Sequence, residues 1–178
     1  MYKRQIFTRG TGIREYIQSP ETIDCRNSGT TARLLTGLLS GQKFSTRLDG
    51  DESLKKRPMD RVKEPLEEIG AKIETNNGRM PVDIFPSEIK GGSIDLSSPS
   101  AQVKSAIILA ALSGNGELKI NIDKVTRDHT EIMLSYFTEN IIIEKNCLTV
   151  IPDPKIITDQ IEIPNDPSSA AFFIVGAL

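Results

Sequence analysis

Apolar residues along this chain recur in one order. Three stretches open with a polar Ser/Thr/Asn cluster and run straight into small and branched apolar residues: N-S-G-T-T-A-R-L-L-T-G-L-L-S-G (27–41), S-P-S-A-Q-V-K-S-A-I-I-L-A-A-L-S-G (98–114) and N-D-P-S-S-A-A-F-F-I-V-G-A-L (165–178). The polar cluster offers N-cap oxygens, and the apolar residues that follow surround a helical wheel on nearly every side, which predicts buried helices. A Ser-Gly pair closes the first two, where a C-cap glycine is expected. The recurrence is about 70 residues, the mark of a duplicated supersecondary unit.

The first two apolar helices are each followed by a short strand (44–48 and 118–122) and then by an amphipathic helix (59–69 and 129–137). Hairpins come next, 71–74 with 82–85 around Asn76-Asn77-Gly78, and 141–144 with 148–151 around Lys145-Asn146-Cys147. The unit reads helix, strand, helix, strand, strand, and a preceding strand would complete it. Two nearly whole copies and the start of a third are expected, packed as a layered α/β domain. Side-by-side repeats would set their buried helices roughly parallel, with the N-termini on one face. Each N-terminus carries unpaired N–H groups and partial positive charge, so such a face suits phosphates and carboxylates.

Composition narrows the partners. With 178 residues, 38% hydrophobic and 26% charged, the chain sits in the globular class, at the size of one ordinary domain. Its 22 basic and 24 acidic residues give a net charge of −2, so no global field favours nucleic acid and any anion site must be local. Cys25 and Cys147 lack the spacing of a metal or redox pair, which fits a reduced, cytoplasmic protein. No leader pattern opens the chain, and its apolar runs fall short of the roughly 20 residues that span a bilayer, so no membrane partner is expected. Both ends read as cut: residues up to Ile23 lack a periodic core pattern, and the apolar stretch 170–178 stops without a cap. A longer polypeptide covering that last helix is the expectation.

Five motifs, N-S-G-T-T-A-R-L-L, G-D-E-S-L-K-K-R-P-M, S-A-Q-V-K-S-A-I-I-L-A-A-L, T-R-D-H-T-E and D-P-S-S-A-A-F-F, resemble in order and spacing the 5-enolpyruvylshikimate-3-phosphate synthase family. The resemblance runs from about Cys25 to Leu178. Related UDP-N-acetylglucosamine enolpyruvyl transferases share the fold but carry a reactive cysteine in the loop before the Arg-Pro, and residues 48–57 contain none. The resemblance implies βαβαββ units with buried helices and outer sheets, an α/β enolpyruvyl transferase-like domain that is incomplete here. It makes residues 1–164 most of the domain gripping shikimate 3-phosphate, and 165–178 the start of a further unit near the crossover to a second domain. The implied reaction moves the enolpyruvyl group of phosphoenolpyruvate to the 5-hydroxyl of shikimate 3-phosphate and releases phosphate. It needs no cofactor and no metal, and belongs to a protein that is a monomer when full length. The family's opening catalytic Lys segment and its second domain have no counterpart here, so this chain alone is expected to be inactive. A relative of the UDP-N-acetylglucosamine enolpyruvyl transferases and a non-catalytic anion-binding module are the rival readings.

Residue by residue, the resemblance assigns phosphoenolpyruvate to Gly29, Arg57 and Gln102, and shikimate 3-phosphate to Ser100, Ala101, Gln102 and Arg127. Arg33, Lys104 and Asp166 are further candidates. Bland alternatives stand beside these. Gly29, Thr30 and Ser100 sit where N-caps belong, and Gly29 otherwise permits close approach to the backbone. Lys55, Lys56, Arg57 and Arg61 read equally as a solvated charged face, with Pro58 expected in a first helical turn. Asp128 and Thr130 are expected to cap the helix after Arg127, with Glu131 favouring its positive end. His129, the sole histidine, reads as structural rather than as a base.

Overall fold

The computed structural model describes residues 12–96, 99–124, 126–157 and 175. Two units follow one another with the same plan. The first contains β1 (Ile23–Asp24), α1 (Gly29–Ser40), β2 (Thr46–Asp49), α2 (Glu52–Lys55), α3 (Asp60–Glu68), β3 (Lys72–Asn76) and β4 (Arg79–Phe85). The second contains β5 (Gly92–Asp95), α4 (Ala101–Leu112), β6 (Leu118–Asn121), α5 (His129–Phe137), β7 (Ile141–Ile143) and β8 (Cys147–Val150). Their sheets are ordered β1-β2-β4-β3 and β5-β6-β8-β7, so the topology is repeated strand for strand. In each, a parallel pair flanks the apolar helix, and the remaining pairs are antiparallel. β1 and β5 are the completing strands that the repeat pattern asked for.

Local chemistry accounts for the elements. Met80, Val82 and Ile84 alternate inward along β4 while Arg79 and Phe85 face out, the two-residue period of a half-buried strand. Asn77 and Gly78 both take positive φ (50° and 75°) between the paired Asn76 and Arg79, the backbone a tight two-residue hairpin requires. The short α2 was not anticipated. Asp51 caps it, accepting from the Leu54 N–H at 2.8 Å.

The apolar helices α1 and α4 pack side by side in the centre. A Cβ on Gly37 would lie 2.6 Å from the Cα and carbonyl carbon of Ala106, so the two backbones are closer than any larger residue allows. Gln102 at the start of α4 bonds Thr30 at the start of α1, while Gly41 and Ser113 meet at their far ends. The helices therefore run parallel, with N-termini on one face. All of α4 is buried except Ala101, Gln102 and Leu109; a fully buried isoleucine such as Ile107 contributes roughly 1.5–3 kcal/mol. Buried Thr36 and Ser40 in α1 are satisfied by the carbonyls of Ala32 and Thr36 (2.8 and 2.6 Å).

Two expectations are corrected. Burial on every side holds for α4 but not for α1, whose Leu34, Leu35 and Leu38 stay partly open among the described residues, because α4 covers one flank only. The closing glycines do not work as left-handed C-caps either. Gly41 has φ −91°, and the C-cap of α4 is Ser113 at φ −97°. Gly41 is small because a Cβ there would overlap the Ser113 hydroxyl.

Candidate functional site

Both central helices begin with an extended serine. The Ser28 hydroxyl accepts from the Thr31 N–H at 3.1 Å, and the Ser100 hydroxyl from the Val103 N–H at 3.4 Å. Each cap satisfies one of the first-turn donors. Gln102 links the two starts. Its Nε2 donates to the Thr30 hydroxyl and its Oε1 accepts from Arg33 Nη1, both at 2.7 Å.

Two guanidinium groups lie over Gly29. A Cβ there would stand 3.0 Å from Arg57 Nη1 and 3.1 Å from Arg33 Nη1. Arg57 Nη2 donates to the Asn27 side-chain Oδ1 at 2.5 Å, and Arg33 Nη2 donates to the Pro58 backbone carbonyl at 3.3 Å. Neither is paired with a carboxylate among the described residues. Burial, and then the neighbouring Arg57 and Arg61 charges, weaken the hold of Arg33 on its proton. That is the mark of positive charge gathered without an internal partner, which an anion would relieve.

Pro58 does not sit in the first turn of α3, as expected. Met59 is its N-cap, held by its N–H to the Gly78 carbonyl at 2.7 Å, so the helix begins at Asp60. Arg57 instead follows α2, with its N–H on the Leu54 carbonyl at 2.9 Å, and the freed Pro58 carbonyl serves Arg33. Lys55 lies between Asp49 and Glu52 at 3.7 and 3.4 Å, which raises its pKa, chiefly through the Glu52 contact.

Beside this cluster is a cavity of about 210 Å³. Thr30 and Leu34 of α1 form one wall, Ala101, Gln102 and Ser105 of α4 a second, and Arg127, His129 and Thr130 the third. Ser100 stands one residue before the second wall, as the cap of α4. The structure thus gathers Gly29, Arg33 and Arg57 around one helix start and Ala101, Gln102 and Arg127 around the adjoining pocket. Asp166 lies outside the described residues.

Lys104 is not part of that lining. It is 2% exposed and ion-paired with Glu131, itself 3% exposed. The expected capping of α5 is likewise corrected: Asp128 makes no side-chain cap bond, and the Thr130 hydroxyl turns to the Ser105 hydroxyl at 2.7 Å. Both Thr130 and Glu131 face α4, which offers them a hydroxyl and an ammonium group. Reasoning from sequence passed over Asn27 and Ser105. Ser105 was findable, since it lies one helical turn beyond Ala101 on the same face; Asn27 opens the first motif, but its partner Arg57 lies 30 residues away.

Repeated βαβαββ units with central helices opening onto an arginine-lined pocket define an incomplete α/β domain of the enolpyruvyl transferase fold. The chain belongs to the EPSP synthase (3-phosphoshikimate 1-carboxyvinyltransferase) family, which it matches over residues 3–178. It is 46% identical over 177 residues to the 3-phosphoshikimate 1-carboxyvinyltransferase of Thermodesulfovibrio yellowstonii, covering 98% of this chain and 41% of that protein. The counterpart from Limosilactobacillus fermentum is 41% identical over 170 residues, covering 94% and 39%. The EPSP synthase structure from Acinetobacter baumannii superimposes with a TM-score of 0.86 at 43% identity, covering 94% of this chain and 38% of that one. The chain spans about two fifths of the length of these relatives.

Proposed function

We propose that this chain is the shikimate 3-phosphate-gripping part of an enzyme that transfers the enolpyruvyl group of phosphoenolpyruvate to the 5-hydroxyl of shikimate 3-phosphate, releasing phosphate. The observation carrying this reading is the pair of guanidinium groups over Gly29, neither ion-paired among the described residues, with Arg33 joined through Gln102 to the pocket that Arg127 lines. Two anionic substrates side by side repel one another. Cationic groups fixed before they arrive offset that repulsion and hold the hydroxyl near the enol carbon, so positioning and electrostatics supply the rate. Arg57, Arg33 and Gly29 receive phosphoenolpyruvate; Arg127, Ser100 and the start of α4 receive the phosphate of the second substrate; Gln102 lies between them. Residues 1–164 form most of this domain, and 165–178 begin its next unit. Catalytic groups outside the chain complete the reaction, in a cytoplasmic protein that is a monomer at full length.

The test is made in the full-length polypeptide. A charge-assisted hydrogen bond contributes about 1.5–3 kcal/mol, so Arg57→Ala raises the KM for phosphoenolpyruvate by roughly 10- to 150-fold, and Arg127→Ala does the same for shikimate 3-phosphate. Steady-state kinetics with each substrate varied in turn reads the split. Two variants with parental KM values would overturn the assignment.

A further inference from the structure

We propose that the buried Lys104–Glu131 ion pair is a positioning device that holds the Arg127 wall of the pocket in register with the Gln102 wall. The inference rests on the substrate reading above. Stability does not call for this pair. Taking both charges out of water is costly, and a hydrophobic pair of similar volume stabilises a fold as well or better. The rest of α4 is built that way, with Val103, Ala106, Ile107 and Ile108 packing as plain aliphatic groups. What an ion pair adds is a defined distance and register between two helices.

Its location is where register matters. Lys104 lies two residues beyond Gln102, and Glu131 directly follows Thr130. One residue along α4 and one back along α5, the Ser105 and Thr130 hydroxyls bond at 2.7 Å, and Ser105 also bonds the Ala101 carbonyl at 2.8 Å. Two cross-links therefore sit next to the residues that line the pocket. The start of α5 has no cap bond of its own from Asp128, so these links to α4 are the side-chain contacts that place the Arg127–Thr130 segment. Only one oxygen of Glu131 is engaged; Oε2 has no partner among the described residues, so Lys104 is the group that fixes this carboxylate.

The experiment uses full-length polypeptide, with shikimate 3-phosphate titrated calorimetrically and both KM values measured. In the double variant Lys104→Met with Glu131→Leu, the thermal midpoint stays within a few degrees of the parent. Affinity for shikimate 3-phosphate falls about tenfold or more, as expected when a supporting contact lets a binding group drift. The KM for phosphoenolpyruvate changes several-fold less than the affinity for shikimate 3-phosphate, since Gly29, Arg33 and Arg57 belong to the first unit and Gln102 alone is shared. The exchanged pair, Lys104→Glu with Glu131→Lys, recovers most of the affinity. A double variant that binds as the parent does overturns the proposal, and so does one whose midpoint collapses, because the pair is then a stability element. If the parent itself binds no shikimate 3-phosphate, the substrate reading fails with it, an outcome distinct from either.

Discussion

At the scale of single residues, the site depends on what Gly29 lacks. Its φ is not in the left-handed region, so alanine there meets no backbone strain and suits a helix start. The cost falls on the two guanidinium ends, which must each give by a few tenths of an ångström. Gly29→Ala should therefore change unfolding free energy by less than about 0.5 kcal/mol. It should raise the KM for phosphoenolpyruvate about tenfold, because a carboxylate held by displaced arginines loses bond geometry. Denaturant melts beside kinetics separate the two effects. Cys25 gives a second residue-level outcome. It is buried, and burial, with the Asp24 and Asp49 charges behind it, pushes its thiol pKa up. The folded state thus holds the proton more tightly than the unfolded chain. Stability from this group is complete below the ordinary thiol range and is lost as pH rises through it toward the folded value. Alkylation at neutral pH should label the half-buried Cys147 first, and Cys25 only on unfolding; mass mapping checks the order. The sequence shows which residue types are present but not which ones meet. Arg33 and Gln102 are 69 residues apart, and their 2.7 Å bond needs both helices in place.

At the scale of elements, most of the fold was legible because it is periodic. Polar caps and apolar runs each have a local cause and recur at the same place in both units, and the Asn-Gly turn has its own local cause in the first. What stayed hidden is contact. The four-residue α2 is too short to show a pattern, and forms because Asp51 caps it and Leu54 is buried. Gly37 reads in sequence as a mild weakness inside a helix, yet it is where α1 and α4 touch. Gly37→Ala improves helix propensity by about 1 kcal/mol but drives a methyl group into the backbone of Ala106. Backbone cannot turn aside as a side chain can, so the helices must separate. The net loss should be about 2–3 kcal/mol, read as a lowered thermal midpoint. Because the same crossing sets the Thr30–Gln102 bond, affinity for shikimate 3-phosphate should fall with it.

At the scale of the whole molecule, the repeat sets the two amphipathic helices in unlike surroundings. In the first unit, Arg61, Glu64, Pro65 and Glu68 of α3 border the second unit, lining a cleft with Asp95, Leu96 and Val103. The two nine-residue helices align start to start at a shift of 69, which carries Glu64 of that cleft onto Met133 of α5. Here the surface is open: Met133 is 46% exposed, with Ile132 at 40% and Tyr136 at 65% beside it. If a following unit repeats the contact, this face is its seat; the chain spans about two fifths of its relatives' length. A charge placed on the face discriminates. In a chain ended at residue 164, Met133→Lys leaves the side chain in water and should alter unfolding free energy by less than about 0.5 kcal/mol. In the full-length polypeptide the same lysine must be buried or must force the units apart, at a cost of roughly 2–4 kcal/mol. Denaturant unfolding of the four proteins gives the two differences directly. Equal differences would mean that this face stays in water throughout and that the following unit packs elsewhere.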